Sequence, residues 1–364
     1  MTYVKRIEKL KEILEAMRSP ARLDLPLIET RPPTQAFSEF LTNKEQGDWA
    51  ERTFIENFNR TQEKYWAVKY GRSEDLVAGE QGFDEYYRDY QAELKEIGKR
   101  PDLLVFDRSV FVPRFGDCTD CSNFDREILE CWVPRAVSAI EVRSSAFLSR
   151  RYDAAVAETR RQVIEQIRRC AEQLLGDYTD EIARGPDWKP YLEKLLRSDI
   201  DPSAQAPRAL GLRSTERLAQ ASALTKVIKD GLRSLSQREF LSITPKAEDL
   251  ALVYRWIQRY GVEHHYCQVF FDRAVMLSFE EILKILATPE REGRDFFIEA
   301  DEKNQGKVTF KINVQLGREV LNRVDLPEHF SAMKELPKGR LLFYVKFQAS
   351  EAEVIPGVIN HGRD

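Results

Sequence analysis

The chain has 364 residues, 42% of them hydrophobic and 32% charged, with a formal net charge of −4 at neutral pH. That length buries a large core in one elaborate domain or two smaller ones, and the near balance of charge excludes a non-specific polycation while leaving room for a locally basic face. No apolar run approaches membrane-spanning length, no signal-peptide core is visible, and five cysteines, an odd number, fit a reducing, cytoplasmic setting.

Residues 3–18 read as an amphipathic helix, with Ile7, Leu10, Leu14 and Met17 at helical spacing. The stretch 19–36 holds four prolines and reads as an extended arm. A strong helix is expected at about 44–59 on Trp49, Phe54, Ile55 and Phe58, then a strand at Trp66–Tyr70. Residues 72–98 are acidic and tyrosine-rich, a helix with loop. Two short apolar strands follow at 103–106 and 139–142, with a turn-rich excursion at 107–131 between them. Residues 152–174 and 212–238 read as helices on either side of a proline-punctuated stretch at 186–207. Thr244-Pro245 opens another helix, with Glu248 and Asp249 in the positive N-terminal field and Gly261 as its stop. A buried-looking strand runs from His265 to Phe271, with His264-His265 read as a loop pair before it, metal ligands or base readers being the alternative; a helix at 278–287 and strands at 307–314 and 341–347 complete the chain. The order is α/β: a mixed central sheet flanked by helices, with the long helical stretch as an insertion in a crossover.

The chemistry concentrates in Pro101-Asp102 and Glu141-Val142-Arg143. Asp102 stands where a turn enters a strand, since Pro101 suits a strand start. Glu141 sits inside a run that is otherwise apolar, and a buried carboxylate is costly unless it is paired or holds a metal. Two acids on neighbouring strands make a hard, oxygen-lined site suited to Mg²⁺, and the backbone carbonyl of Val142 adds a third oxygen because its side chain points to the opposite face. The same letters also describe an exposed turn aspartate and an edge-strand glutamate. Arg143, two residues after Glu141 and on the same face, is a fixed cation there and cannot act as a general base. A lysine from elsewhere, such as Lys69, is one candidate for that task.

P-D…E-x-R is one residue from P-D…(D/E)-x-K, and the chain resembles the PD-(D/E)xK nucleases, with Arg143 departing from their lysine. Gln46-Gly47-Asp48-Trp49-Ala50-Glu51 resembles the helix that such proteins carry before the first motif strand, its glutamate facing the metals; Glu51 fits that place, and an ordinary solvated glutamate is the alternative. Within the superfamily, Gly47–Glu51, Glu141–Ser145, Leu241–Leu250 and Tyr266–Asp272 resemble the AccI-type restriction endonucleases, with similarity spread over about 40–350. The resemblance implies a restriction-endonuclease-like core and a type II enzyme. It also implies Mg²⁺-dependent, sequence-specific double-strand cleavage at a palindrome, a homodimer, and a cognate DNA methyltransferase. A repair or recombination nuclease with the same core, and a catalytically weakened DNA-binding protein, are the competing readings.

Candidate DNA contacts are local. Arg143 to Arg169 contains seven arginines against Asp153, Glu158 and Glu165, and Arg208 to Arg238 contains seven Lys or Arg against Glu216 and Asp230. Such stripes suit a cationic groove, and solvated helix faces would look the same. Ser144, Ser145 and Ser149 follow the second motif strand and, with Arg150, Arg151 and Lys246, are expected to meet phosphates or base edges. Cys118-x-x-Cys121 with Cys131 is part of a zinc pattern that lacks a local fourth ligand, and loop thiols account for it as well. The organisation expected is a helix and arm at 1–36, a first core segment at 37–151, a helical insertion for DNA or dimer contacts at 152–240, and a second core segment at 241–364.

Overall fold

The computed structural model describes residues 1–27, 31–72, 76–201, 205–208, 210, 215–237, 239–301, 307–357 and 359. The chain forms two compact units, one of Met1–Ser149 with Leu241–Asp364, the other of Arg150–Phe240. Among the described residues no helix is long and apolar enough to cross a membrane.

The first unit begins with α1 (Tyr3–Ala16), α2 (Ser38–Thr61), β1 (Tyr65–Lys69), α3 (Phe83–Ile97), β2 (Leu103–Asp107), α4 (Arg108–Phe115), α5 (Arg126–Trp132) and β3 (Ser138–Ser144). Helix α6 (Ser149–Asp177) leads into the second unit, which continues with α7 (Thr179–Ile182), α8 (Trp188–Arg197) and α9 (Glu216–Leu235). The first unit resumes with β4 (Ser242–Ile243), α10 (Ala247–Tyr260), β5 (His264–Val269), β6 (Ala274–Ser278), α11 (Phe279–Leu286), β7 (Phe296–Asp301), β8 (Lys307–Asn313) and β9 (Arg318–Asn322). It ends with β10 (His329–Leu336), β11 (Arg340–Phe347) and β12 (Glu353–Val354).

Seven strands make a mixed sheet in the order β1-β2-β3-β5-β6-β9-β12, flanked by helices as the sequence implied. Strands β3 and β5 run parallel, so a long crossover must join them, and the chain places the whole second unit and α10 in that connection. One core cluster packs α2 side chains Trp49, Phe54 and Phe58 on Val105, Ile140, Cys267 and Met276 of the sheet. The two tail strands expected from alternation are present and antiparallel, but with different partners: β8 pairs with β4 and β7, and β11 with β10. In the second unit, Ile167, Leu174, Trp188, Leu192, Ile228 and Leu232 close a core of their own.

Helix α2 starts at Ser38, six residues before the expected position, because Leu41 is buried in a satellite cluster with Val77, Leu336 and Leu342. Gln46 to Glu51 therefore lie in mid-helix rather than at its opening. His264 and His265 are also not a loop pair: both are buried in β5. The His264 ring lies among Trp256, Tyr266 and Phe279, and neither of its nitrogens has a hydrogen-bond partner among the described residues. Burial holds His264 well below the ordinary imidazole range and pushes His265 down to about 4.

One backbone position decides how β2 begins. Gly98 caps α3 with φ +83°, a conformation that L side chains rarely adopt. A Cβ there would lie 2.2 Å from the carbonyl oxygen of Leu252 in α10. Arg255 of α10 donates to the last carbonyls of α3, at Leu94 and Lys95, so the two helices are clasped where the chain turns toward Asp102. Gly98→Ala is expected to cost about 3 kcal/mol or more, from positive-φ strain plus backbone overlap, and urea unfolding will read it. A variant within 1 kcal/mol of the parent by this measure, taken as roughly the ordinary Gly-to-Ala effect, would show that the clasp yields.

The two histidines give a pH dependence of known sign. Their folded-state affinities for protons are depressed, so the stability they favour is complete above about pH 6.5 and is lost as pH falls through the window toward 4. Between pH 7.5 and 5 the unfolding free energy is expected to fall by at least about 2 kcal/mol from His265 alone. His265→Asn should shrink the fall; an unchanged urea midpoint down to pH 5 would mean that the folded protein accommodates the charged imidazoles.

Candidate active site

The ladder between β2 and β3 pairs Leu103 with Ile140, so Asp102, one residue earlier, stands across from Glu141. The Asp102 carbonyl accepts from the main-chain N–H groups of Tyr70 and Gly71, at 2.8 and 2.9 Å, and this ties the end of β1 to the start of β2. Its side chain is turned to β3, where Oδ2 accepts from the Val142 N–H at 2.6 Å. Burial, with the charges of Glu141 and Glu51 nearby, pushes the Asp102 carboxyl well above the ordinary carboxylate range.

Glu141 is 1% exposed. Its Oε1 forms a hydrogen-bonded ion pair with Lys99 Nζ and lies 2.8 Å from an Arg143 guanidinium nitrogen. Burial pushes the carboxyl up, but these two cations together hold it below its ordinary range. Conversely, burial favours the neutral Lys99, and Glu141 outweighs that and keeps it an ammonium. The same Arg143 nitrogen is 3.2 Å from Asp249 Oδ2, in the first turn of α10. Glu141 Oε2 is buried and has no hydrogen-bond partner among the described residues, and neither has the hydroxyl of Tyr266, the residue in register with Glu141 on β5. Burial, then Glu141 and Asp249, raises that phenol well above its ordinary range.

Helix α2 brings the third acid. Glu51 Oε2 lies 3.0 Å from Lys69 Nζ, which is also 3.8 Å from Asp48. Burial pushes Glu51 up despite Lys69, and Asp48 and Glu141 add to the effect. One turn earlier, Gln46, with its amide oxygen facing the end of β3, accepts from Ser145 and Ala146 N–H groups at 3.2 Å and sits 3.3 Å from the Ser144 hydroxyl.

Asp102, Glu141, Arg143 and Glu51 thus gather at one place, with Val142 supplying backbone between the acids. Ser144 and Ser145 lie at the rim, partly exposed. Ser149 does not: it is buried, its hydroxyl donating to Asp272 at 3.0 Å and accepting from Arg273 at 2.6 Å. Lys246 is exposed at the N-cap of α10, and Arg150 and Arg151 are exposed in the second unit. Of the arginine stripe there, Arg160 pairs with Glu239 and Arg161 with Glu158 and Glu165, so part of it is spent internally. Lys69 reaches Glu51, and Lys99 reaches Glu141. Lys99, Asp249 and Tyr266 were not anticipated as site residues. The one local signal for Lys99 was its place three residues before Asp102.

The donor set fits a hard divalent cation: Asp102 and Glu51 are both raised by burial and by the charge of Glu141, and Glu141 itself has a buried oxygen without a hydrogen-bond partner among the described residues. Among the described residues, no group of three His, Cys, Asp or Glu stands close enough to hold a metal ready-made, at this site or at Cys118, Cys121 and Cys131. Cys118 and Cys121 instead direct their thiols to the carbonyls of Asp120 and Lys69.

Among curated proteins and among solved structures, none matches the chain. The family AccI restriction endonuclease matches it over residues 1–357. With nearly the whole length covered and paired acids at the heart of the sheet, the chain belongs to the AccI restriction endonuclease family and is a type II site-specific deoxyribonuclease.

Proposed function

We propose that the chain hydrolyses both strands of DNA at a short palindrome, as a homodimer and with Mg²⁺, through the cluster of Asp102, Glu141, Lys99 and Arg143. The observation that carries this reading is the pairing of Asp102 and Glu141 across adjacent strands with two partly exposed cations on the buried Glu141. Asp102, Glu141 and the Val142 carbonyl would hold Mg²⁺, with Glu51 beside them; when bound, the ion supplies Lewis-acid stabilisation of the phosphate and a more acidic water. Lys99 and Arg143 set positive charge where negative charge grows on the phosphate, and their ion pairs with Glu141 and Asp249 hold them in place to do so. Arg143 cannot give up its proton and Lys99 is held charged by Glu141, so the proton of the attacking water leaves through another group. Ser144 and Ser145, with the exposed Lys246, Arg150 and Arg151, are the proposed DNA contacts. Ser149 is left out because its hydroxyl is engaged by Asp272 and Arg273. The enzyme acts in the cytoplasm beside a methyltransferase of the same specificity.

A digest of a sequenced plasmid with Mg²⁺ tests this, with discrete bands expected. Asp102→Asn and Glu141→Gln are each expected to lower cleavage by roughly three orders of magnitude or more. Arg143→Lys keeps a cation on the same face and should stay within about tenfold of the parent, whereas Arg143→Ala should fall well below it. A smear or nicked circles would favour the repair-type reading. DNA binding without cutting under any divalent ion would favour a binding protein.

Assembly gives a separate expectation. A palindrome presents two equivalent phosphates, and one acid cluster per chain calls for two chains per double-strand cut. Light scattering with and without duplex should find two chains per particle on DNA, with affinity falling steeply as salt rises. A strict monomer that nicks one strand at a time would count against the dimer.

A further inference from the structure

The acid cluster carries its own counter-cations. Glu141 is paired with both Lys99 and Arg143, Asp249 with Arg143, and Glu51 and Asp48 with Lys69. Asp102 takes the Val142 N–H instead. Lys99 comes from the turn after α3 and Lys69 from the end of β1, so the two ammonium groups approach the acids from different elements and neutralise different ones.

We infer that this chain binds its DNA target without a divalent cation, because Lys99 and Lys69 already supply the positive charge that lets a phosphate approach the acids. The inference rests on the DNA-cleaving reading above and deepens it. Carboxylates set against a phosphate repel it strongly when nothing neutralises them. A site built of bare acids therefore has to take up metal before or together with DNA. Here four of the five acids share three cations from within, and much of the repulsion is offset by side chains that are always present. The same pairs work against the metal in the DNA-free protein. A divalent cation moving onto Glu141 competes with the Lys99 ammonium, and one moving onto Glu51 competes with Lys69. Metal uptake should therefore be weak until phosphate oxygens add to the donor set. By linkage, DNA and metal then strengthen one another's binding.

The experiment is fluorescence anisotropy of a labelled duplex carrying the sequence at which the plasmid is cut, in EDTA and in Ca²⁺. The parent protein should bind in EDTA within about tenfold of its affinity in Ca²⁺. Lys69→Met and Lys99→Met should each weaken binding in EDTA by roughly 100-fold or more, and Ca²⁺ should restore most of the loss. Tb³⁺ luminescence without DNA gives a second readout: Lys99→Met should bind Tb³⁺ at least roughly tenfold tighter than the parent, since the competing ammonium is gone. Parent binding that is 100-fold weaker in EDTA than in Ca²⁺ would overturn the inference while leaving the nuclease reading intact. No binding in either condition would sink the nuclease reading itself. Should Lys99→Met fail to fold, the parent in the two buffers and Lys69→Met, whose lysine is more exposed, still decide the question.

Discussion

Glu141 is a carboxylate at 1% exposure in the middle of a seven-stranded sheet, and much of the first unit is arranged around making that tolerable. An ion in such a place is held only if its partners are fixed, and removing one partner of a buried pair costs about 3–5 kcal/mol because the other is stranded. Each partner depends on a separate piece of architecture. Lys99 is delivered by the turn at Gly98, which exists because α3 ends against α10. Arg143 is steadied by Asp249 in the first turn of α10, where the helix dipole already favours an acid. One helix thus positions both cations: its start holds Arg143, and Leu252 accepts from the Lys99 N–H at 3.2 Å. The polar pairs at the sheet centre are closed only when β2, β3, α3 and α10 are all in place, which makes the site a property of the assembled unit rather than of one motif.

Helix α2 does the corresponding work on the other side. Asn59 exchanges hydrogen bonds with both the N–H and the carbonyl of Ala67, fixing the end of the helix to β1. Asn57 takes the Ala352 N–H and donates to the Ser350 carbonyl, and the Trp49 indole donates to the Ser350 hydroxyl, so the C-terminal segment is sewn to the same helix. These residues are buried and polar, and their pairing is specific in a way that apolar packing is not. Between the two anchors stands Glu51. Its approach to the acid pair is set by a helix fastened along its length, not by a flexible side chain reaching in from a loop.

The two motif strands were legible because each is a short apolar run interrupted by one acid, and an acid in such a run needs a reason. Glu51 entered through the resemblance of Gln46–Glu51 to the helix that PD-(D/E)xK nucleases carry before the first motif strand, and the sheet class through the alternation of helical and strand periods. Lys99 was not, because its partner lies 42 positions away and across a turn whose shape comes from α10, which the local sequence does not contain. Asp249 looked like an ordinary first-turn acid, which it also is. Ser149 was expected at the DNA because it follows the strand closely, but the first turn of α6 carries it into contact with Asp272 and Arg273. The start of α2 was misplaced because a helix turn held by a single buried residue, Leu41, has no periodic signature. His264 and His265 read as loop because polar residues before a strand usually are, and only the rings of Trp256, Tyr266 and Phe279 around His264 show why they are not.

The arginine two residues after Glu141 has a structural reason. An ammonium there is a compact charge, strongly hydrated and able to shift its proton affinity. A guanidinium is a planar fork that stays charged in any environment, and here one of its nitrogens lies between two acids from different elements, Glu141 on β3 and Asp249 on α10. That bridging suits arginine. Lys99 reaches the same Glu141 oxygen from the turn after α3. Glu141 is thus neutralised by two cations with different tasks: a guanidinium that ties sheet to helix, and an ammonium that, among the described residues, pairs with this acid alone.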